Sequence, residues 1–184
     1  TRELVDMIRE AGIQLTELEP EAPDLPFGLG SGAAVIYGVT GGVAEAVVRY
    51  CLPDKSNNAL QATRVTDLRG DGAIREVNLT VEGQELHIAI VNGLSHAKEL
   101  IADVEAGKRF YHLVEVMTCQ GGCVGGAGQP YGLTAAKKRR GAGLYEADSS
   151  AMFKRAEKNP IVTRLLEDYG PDRCHQLLHV HYGE

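Results

Sequence analysis

The pattern of apolar and polar positions predicts a β-hairpin followed by a helix and a third strand. Residues 74–81 alternate between apolar and polar side chains, Glu82-Gly83-Gln84 has the composition of a turn, and residues 86–91 form a second apolar run. The segment Ser95–Glu105, with Ser95 as its cap, predicts a helix, and the β-branched run at 111–117 predicts another strand. The order β-β-α-β predicts helices packed on a mixed sheet.

Several further segments have helical periodicity. Helices are predicted over residues 1–11, 43–52, 135–148, 150–158 and 161–169, with a break at Asn159-Pro160. One apolar face is predicted in each of the first two helices, formed by Leu4, Val5, Ile8 and Ala11 and by Val43, Ala46, Val47 and Tyr50. In the helix after the hairpin, the residues expected to point inward are Ala97, Leu100, Ile101 and Val104. Residues 60–68 can form a strand, and the acidic, proline-rich stretch 15–26 predicts an irregular connection.

Composition narrows the class of protein. A chain of 184 residues with 43% hydrophobic content can bury a core. The net charge of −6 argues against nucleic acid as a partner, and the basic cluster Lys137–Arg140 is typical of a solvated helix face. We expect no membrane segment, no secretory signal and a cytoplasmic location. Because Thr1 rather than Met opens an already helical pattern, we also expect the chain to be cut from a longer one.

The candidate chemistry lies in residues 115–130, EVMTCQGGCVGGAGQP. The third predicted strand leads to Cys119, Cys123 follows after three intervening residues, and glycine is denser here than a turn requires. Glycine lets the backbone approach a bulky group closely, and hydrogen bonds to sulfur tune the reduction potential of iron–sulfur clusters. The spacing therefore suggests a cluster.

Other interpretations of this loop stay open on spacing alone. A zinc site uses pairs of cysteines, but Cys51 and Cys174 are isolated in the sequence. Two buried thiols beside a flexible turn would have the same spacing. A disulfide fits poorly with a chain that lacks a secretory signal. His175 and His179 could chelate a metal from one helix face, but no acidic partner has a matching spacing, so packing or exposure is preferred.

Three stretches resemble iron-only (FeFe) hydrogenases. EVMTCQGGCVGGAGQP resembles the third cysteine signature of that family, and residues 27–50, FGLGSGAAVIYGVTGGVAEAVVRY, are similar to its glycine-rich segment and the helix after it. The ending RCHQLLHVHY, residues 173–182, is similar to the end of the small-subunit tail. The resemblance covers essentially the full length. It implies one lobe of the H-cluster catalytic domain in residues 1–132 and a helical small-subunit-like tail in residues 133–184.

The fold expected from the element order and the resemblance is α/β. We expect a mixed sheet of about four strands flanked by helices, as one lobe of the two-lobed FeFe hydrogenase catalytic domain, with a helical C-terminal tail.

The resemblance also implies roles for individual residues. Cys119 would ligate the four-iron cubane of the H-cluster, and Cys123 would bridge the cubane to the two-iron unit that carries carbonyl and cyanide ligands. Met117 would lie beside the two-iron unit, where a thioether packs without offering a proton. Tyr37 and Gly38 would line the far wall. No catalytic residue is expected in this chain, because the family's proton relay lies in the other half.

The function implied is the reversible reduction of protons to dihydrogen, with this chain supplying two cluster cysteines and inactive alone. A cubane needs four thiolates, so the missing N-terminal half of the domain is an expected partner, and a ferredoxin-type electron carrier would serve the full protein. The alternative is a hydrogenase-like iron–sulfur assembly or sensory protein without hydrogen-evolving activity. The ending at residues 173–182 favours true hydrogenases over that alternative. Thr118, Ala127 and Ala34 depart from the residues common in hydrogenases and are compatible with either a slow or sensory hydrogenase or a fast producer.

Overall fold

A three-stranded mixed sheet forms the centre of the fold. The computed structural model describes residues 1–22, 24, 28, 30–53, 56–132 and 134–180. Strands β1 (Ile74–Val81), β2 (Gln84–Asn92) and β3 (Leu113–Met117) lie in the order β1-β2-β3. The first pair is antiparallel and the second parallel, which confirms the predicted α/β class, the hairpin and the mixed sheet. The described part of the chain has three strands where about four were expected.

The described part of the chain contains seven α-helices. They are α1 (Arg2–Glu10), α2 (Gly32–Val35), α3 (Gly42–Cys51), α4 (Asn57–Ala62), α5 (Leu94–Glu105), α6 (Thr134–Ser150) and α7 (Pro160–Leu178). Of these, α3 and α5 pack on the sheet. Short 3-10 helices occur at Leu15–Glu17, Ile36–Gly38, Val65–Leu68, Cys123–Gly125 and Ala156–Lys158. Among the described residues no helix combines the length and apolar character needed to cross a membrane.

Strand β2 is buried on both faces because helices cover both sides of it. Ile88 and Ile90 pack with Ala44 and Val48 of α3, with Leu52 directly after that helix, and with residues of the α4 region. On the other face, Ala89 and Val91 pack against Ala97 and Leu100 of α5, which is the crossover between the parallel strands. Residues 88–91 are each at most 1% exposed. A central strand with two covered faces is a continuous apolar run, as the sequence of β2 shows.

Helix α3 buries only part of the apolar face that was predicted for it, since Ala46 is buried and Val43 half-buried. Ala44 and Val48 are buried together with the charged residues Glu45 and Arg49, whereas Val47 is 37% and Tyr50 61% exposed. The prediction is therefore wrong for Val47 and Tyr50. Glu45 and Arg49 form a buried ion pair at 2.5 Å, and that pair lets charged side chains occupy the inward face.

Two other elements differ from the prediction. Residues 60–68, expected as a strand, lie in the end of α4 and a 3-10 helix, with Arg64 between them in the left-handed region at φ 57°. Both parts of the segment have helical backbone, so neither can form a strand. Residues 150–158, expected as a helix, contain only the short 3-10 helix Ala156–Lys158. Lys154 donates to the carbonyl oxygens of Asp148 and Ser149, both at 2.6 Å, so the segment folds back on the end of α6.

The crossover helix was predicted at the right place but with the wrong details. Gly93, at φ 89°, is its N-cap, and no side chain caps it, so Ser95 does not have the predicted role. Ala97 and Leu100 are buried, but Ile101 is 54% and Val104 41% exposed. The described sheet has three strands, so it covers only the narrow stripe of α5 that contains Ala97 and Leu100.

The terminal helices form where they were predicted. Helix α1 has no fully buried residue; on its predicted apolar face Val5 and Ile8 are half-buried, whereas Leu4 and Ala11 are exposed. Helix α7 begins after the predicted break, with the Asn159 side chain accepting from the Ile161 N–H at 2.9 Å. It continues beyond residue 169 to Leu178, interrupted at Gly170. Part of the connection at 15–26, namely Pro23, Leu25 and Pro26, lies outside the described residues.

A buried cluster of four charged residues joins α3, α6 and the loop before β1. Arg49 binds both carboxylate oxygens of Asp148, at 2.8 and 2.7 Å. Arg69 binds both oxygens of Glu45, at 2.7 and 2.8 Å, and contacts Asp148 at 2.9 Å. In each of these bidentate pairs, two guanidinium nitrogens bind the two oxygens of one carboxylate, and these hydrogen bonds compensate the cost of burying the charges. The cluster fixes α6 against α3.

Burial opposes ionisation of Asp148, but the hydrogen bonds and positive charges of Arg49, with Arg69 and Lys154, outweigh it. The net effect lowers the pKa of Asp148 below its ordinary value of 3.8. The ionised form therefore stabilises the folded state above about pH 4, and that contribution is lost as the pH falls through the lowered pKa.

We expect Asp148→Asn to lower the free energy of unfolding at neutral pH by roughly 3–5 kcal/mol, because it leaves the buried Arg49 without its bidentate partner. Urea unfolding from about pH 6 to about pH 3 should show a smaller loss of stability on acidification in the variant than in the wild type. Asp168→Asn, at a 58% exposed side chain paired with Arg164, is the control and should keep the wild-type profile. An unchanged acid dependence in Asp148→Asn would contradict this assignment.

Candidate metal centre

The two candidate cysteines lie on one exposed loop directly after strand β3. Cys119 and Cys123 are both exposed and neither forms a disulfide. The loop is held by hydrogen bonds within its own backbone, from the Gly122 N–H to the Cys119 carbonyl and from the Gly126 N–H to the Cys123 carbonyl, each at 3.0 Å. Exposed thiols on one short loop are available to a ligand, unlike thiols sealed in a core.

Glycine is required where this loop meets the other glycine-rich stretch. Gly122 has φ +83°, and a Cβ atom there would lie 2.8 Å from the Gly38 carbonyl oxygen and 3.0 Å from Val39 backbone. The Thr40 N–H also donates to the Gly121 carbonyl at 3.3 Å. The backbone around Gly38 and the cysteine loop are therefore in direct contact, although they are far apart in the sequence.

The remaining predicted site residues surround this contact. Gly38 is half-buried, and Tyr37 is 48% exposed beside it. Met117 is the last residue of β3 and is half-buried, with its carbonyl oxygen accepting from the Gly93 N–H at 2.7 Å. The structure thus brings Gly38 against the cysteine loop, and Met117 lies at the end of the strand that leads into this loop. Their roles toward a cofactor stay a prediction.

Glu115, in the middle of β3, connects that strand to helix α3. Its carboxylate oxygens accept from the Gly41 N–H at 2.6 Å and from the Ala44 N–H at 2.7 Å. Gly41 is the N-cap of α3 in the left-handed region and offers no side chain, so the helix receives its cap from a distant strand. This contact sets the position of β3, and hence of the cysteine loop that follows it, relative to α3.

Burial raises the pKa of Glu115 above its ordinary value of 4.5, although hydrogen bonds from Ala44, Gly41 and Val43 act in the opposite direction. The side chain is 6% exposed. Its acceptor oxygens are therefore committed to the helix and not to a bound metal.

Asn92 forms a second connection beneath the loop. Its Oδ1 accepts from the Thr40 hydroxyl at 2.7 Å and from the Gly121 N–H at 3.1 Å, and its amide donates to the Gly72 carbonyl at 2.5 Å. The residue is 3% exposed. It therefore ties the end of β2 to both glycine-rich stretches.

Sequence reasoning did not identify the roles of Glu115 and Asn92. The signal for Glu115 was an acidic residue in an otherwise apolar strand, which indicates a buried partner. The sequence pattern assigns no role to Asn92. No local signal pointed to its partners, because they come from three separate segments.

Alternative metal sites gain no support from the described residues. Cys51 is exposed at the end of α3, whereas Cys174 is buried, with its Sγ 3.5 Å from the Leu165 carbonyl oxygen. In the part of the chain described, no group of three or more histidine, cysteine or acidic residues could hold a metal. The rings of His175 and His179 stack at 4.6 Å between centroids. His181 and Tyr182, like Phe27 and Leu29 of the glycine-rich stretch, lie outside the described residues.

Comparison with known proteins defines the class to which this fold and loop belong. Residues 1–127 match the family model "Iron only hydrogenase large subunit, C-terminal domain", and residues 134–184 match "Iron hydrogenase small subunit". The chain belongs to the iron-only hydrogenase family. The predicted division at 132/133 is not tested by the structure, and Leu133 lies outside the described residues.

Individual relatives agree with this assignment. The chain is 38% identical to the NADP-reducing hydrogenase subunit HndD of Solidesulfovibrio fructosivorans, over 99% of this chain and 32% of that protein. A solved variant of the FeFe-hydrogenase HydA1 from Chlamydomonas reinhardtii superposes with a TM-score of 0.69 at 33% identity, over 98% of this chain and 53% of the other. The cytosolic Fe-S cluster assembly factor narfl of Xenopus tropicalis is 26% identical, over 99% of this chain and 40% of that protein.

The chain thus spans about a third to a half of the length of these relatives. The two exposed thiols and the side-chain-poor backbone around them fit a sulfur-ligated cluster of the kind that the family binds. Two thiols are fewer than the four thiolates that a cubane needs.

We expect Gly122→Ala to destabilise the protein by about 2–4 kcal/mol, because the substitution adds a Cβ against the Gly38 backbone at a positive φ. Gly128→Ala is the matched control, since nothing lies within 4 Å of a Cβ at that position. Its effect should be within about 0.5 kcal/mol. Thermal and urea unfolding measure both changes, and equal stability of the two variants would show that the close approach is not required.

We expect Glu115→Gln to cost about 2–3 kcal/mol of unfolding free energy, because an amide donor replaces one acceptor oxygen and leaves a buried N–H of α3 unpaired. Glu85→Gln, at an exposed position on β2, removes a charge of the same sign and should have little effect. Amide exchange at Gly41 and Ala44 reports the local consequence. Unchanged exchange at these two amides would show that the carboxylate does not cap the helix.

Proposed function

We propose that this chain is the part of an FeFe hydrogenase that supplies Cys119 and Cys123 as thiolate ligands of the H-cluster. The observation that carries the proposal is the pair of exposed thiols on a glycine-rich loop whose backbone contacts Gly38. Membership of the iron-only hydrogenase family supports it. An H-cluster supplies the reversible reduction of protons to dihydrogen.

The residues of this chain hold and shape the site. Cys119 would ligate the cubane, and Cys123 would bridge the cubane to the two-iron unit. Met117 offers a polarisable thioether at the end of β3 that packs without donating a proton. The backbone at Gly38 and the ring of Tyr37 would form the opposite wall.

A four-thiolate cubane requires two ligands beyond these cysteines. We propose that the complementary half of the catalytic domain, which corresponds to the portion of the relatives that this chain does not match, supplies them together with the proton relay. The chain alone is then inactive. Electron delivery by a ferredoxin-type carrier and a cytoplasmic location belong to the same proposal.

The second candidate is an iron–sulfur protein without hydrogen-evolving activity. The similarity to the assembly factor narfl favours it as the alternative. Both candidates use the two thiolates, and they differ in whether the loaded protein produces dihydrogen.

We expect Cys119→Ala and Cys123→Ala each to reduce iron content and to lower hydrogen evolution by at least about 100-fold. The reason is that loss of a metal ligand lowers metal affinity and activity more than loss of the contacts that support the ligand. The chain is expressed with the complementary half and the maturation factors, and iron content and hydrogen evolution are measured. Cys51→Ala, an exposed thiol on α3, is the matched control and should behave as wild type.

The outcomes separate the two candidates. Wild-type iron content and hydrogen evolution in Cys123→Ala would refute the ligand assignment. Thiolate-dependent iron loading without hydrogen evolution, under conditions in which a hydrogenase from the same preparation system is active, would favour the second candidate.

A further inference from the structure

Arg140 of helix α6 holds both ends of the segment that follows Cys123. Its Nη1 donates to the Val124 carbonyl oxygen at 3.0 Å, and its Nη2 donates to the Pro130 carbonyl oxygen at 2.7 Å. The side chain is half-buried between α6 and the loop. A single guanidinium therefore spans residues 124–130.

Lys137, one turn earlier on α6, packs on the same loop. A Cβ atom at Gly121 would lie 2.8 Å from Lys137 Cδ, and one at Gly125 would lie 3.0 Å from the same atom. The aliphatic part of the lysine thus lies directly against two glycines of the loop. Together, Lys137 and Arg140 cover the side of the loop that faces α6.

The loop needs such support because its own side chains supply little. Glycine-rich backbone loses more conformational entropy on ordering than other sequences, and short internal turns offset only part of that cost. The guanidinium is planar and carries several donors in fixed directions, so it can hold two carbonyls at a set separation, which a lysine ammonium cannot do in the same way. Neither carbonyl belongs to a regular strand or an α-helix.

We propose that Arg140 is a positioning residue that fixes the backbone carrying Cys123 and so shapes the proposed cluster site. The segment that matches the small-subunit model would then contribute directly to the cysteine loop, through the first helix of that segment. This inference rests on the proposed function for its meaning. Whether the order of the loop depends on Arg140 is measurable in the apoprotein.

The test is hydrogen–deuterium exchange of the full apo chain, comparing Arg140→Gln with Arg139→Gln. Arg139 is the exposed neighbour on the same helix and controls for charge. In Arg140→Gln the hydrogen-bonded amides of Gly125, Gly126 and Gln129 should exchange at least about tenfold faster, while those of β2 are unchanged. Exchange within about twofold of wild type would overturn the proposal.

The variant Arg140→Lys distinguishes the effect of the paired guanidinium hydrogen bonds from the effect of the positive charge. Because lysine retains the charge but not the paired donors, we expect it to leave most of the loss of protection in place. Full restoration by lysine would overturn the bidentate role. Urea unfolding of each variant shows whether the change is local, and faster exchange throughout the chain would also count against a positioning role.

The iron-loaded protein gives a separate measure. With the complementary half present, Arg140→Gln should alter the electron paramagnetic resonance signature of the cluster, and Arg139→Gln should not. An identical signature in Arg140→Gln would overturn the claim that the residue shapes the site. Failure of the wild type to bind iron would refute the proposed function, whereas the exchange result would still decide the role of Arg140 in the loop.

Discussion

The contact between Glu115 and the start of α3 determines the arrangement of the site. Helix α3 begins at a glycine that cannot cap it, and a carboxylate from the central residue of β3 accepts two of its free N–H groups. A negatively charged acceptor at a helix N-terminus is favourable. Because the contact is buried, an unpaired N–H group there would be costly, so the carboxylate must keep its position. Since Cys119 follows β3 closely, the position of the cysteine loop relative to the Gly38 backbone depends on this contact.

The two parts of the chain that match different family models form one packed structure. The buried cluster of Glu45, Arg49, Arg69 and Asp148 joins α3 to α6, and apolar contacts of Ile36, Val39 and Val124 with Leu144 and Tyr145 extend the same interface toward the loop. Replacing one partner of such a cluster leaves an uncompensated charge, so the cluster strongly specifies how α6 is placed. The placement of α6 in turn brings Arg140 to the cysteine loop.

Local pattern predicted the elements that depend on local sequence. The hairpin, the crossover helix and the break before Pro160 follow from alternation, glycine turns and proline chemistry, and the structure confirms them. The inward face of α3 could not be predicted in the same way, because Glu45 and Arg49 are buried by partners distant in the sequence. The 60–68 segment was predicted wrongly because Leu60, Val65 and Leu68 are buried from helical turns on either side of the left-handed residue Arg64, and not from an extended strand.

The candidate site was predictable as a set of residues but not as a geometry. The spacing of Cys119 and Cys123 in dense glycine indicated a cluster loop, and the family resemblance indicated its neighbours. The backbone contact of Gly122 with Gly38, the cap supplied by Glu115 and the fork of Arg140 all depend on tertiary packing. These long-range contacts fix the position of the cysteine loop relative to α3, the Gly38 backbone and α6.

The central claim is that Cys119 and Cys123 provide thiolates to an iron–sulfur cluster. The most direct measurement is the selenium K-edge X-ray absorption spectrum of the iron-loaded domain, assembled with its complementary half and carrying selenium in place of the sulfur of Cys119. If Cys119 is a cluster ligand, iron lies in the first coordination shell of that selenium. A spectrum in which the selenium of an iron-loaded protein has only carbon neighbours would contradict it.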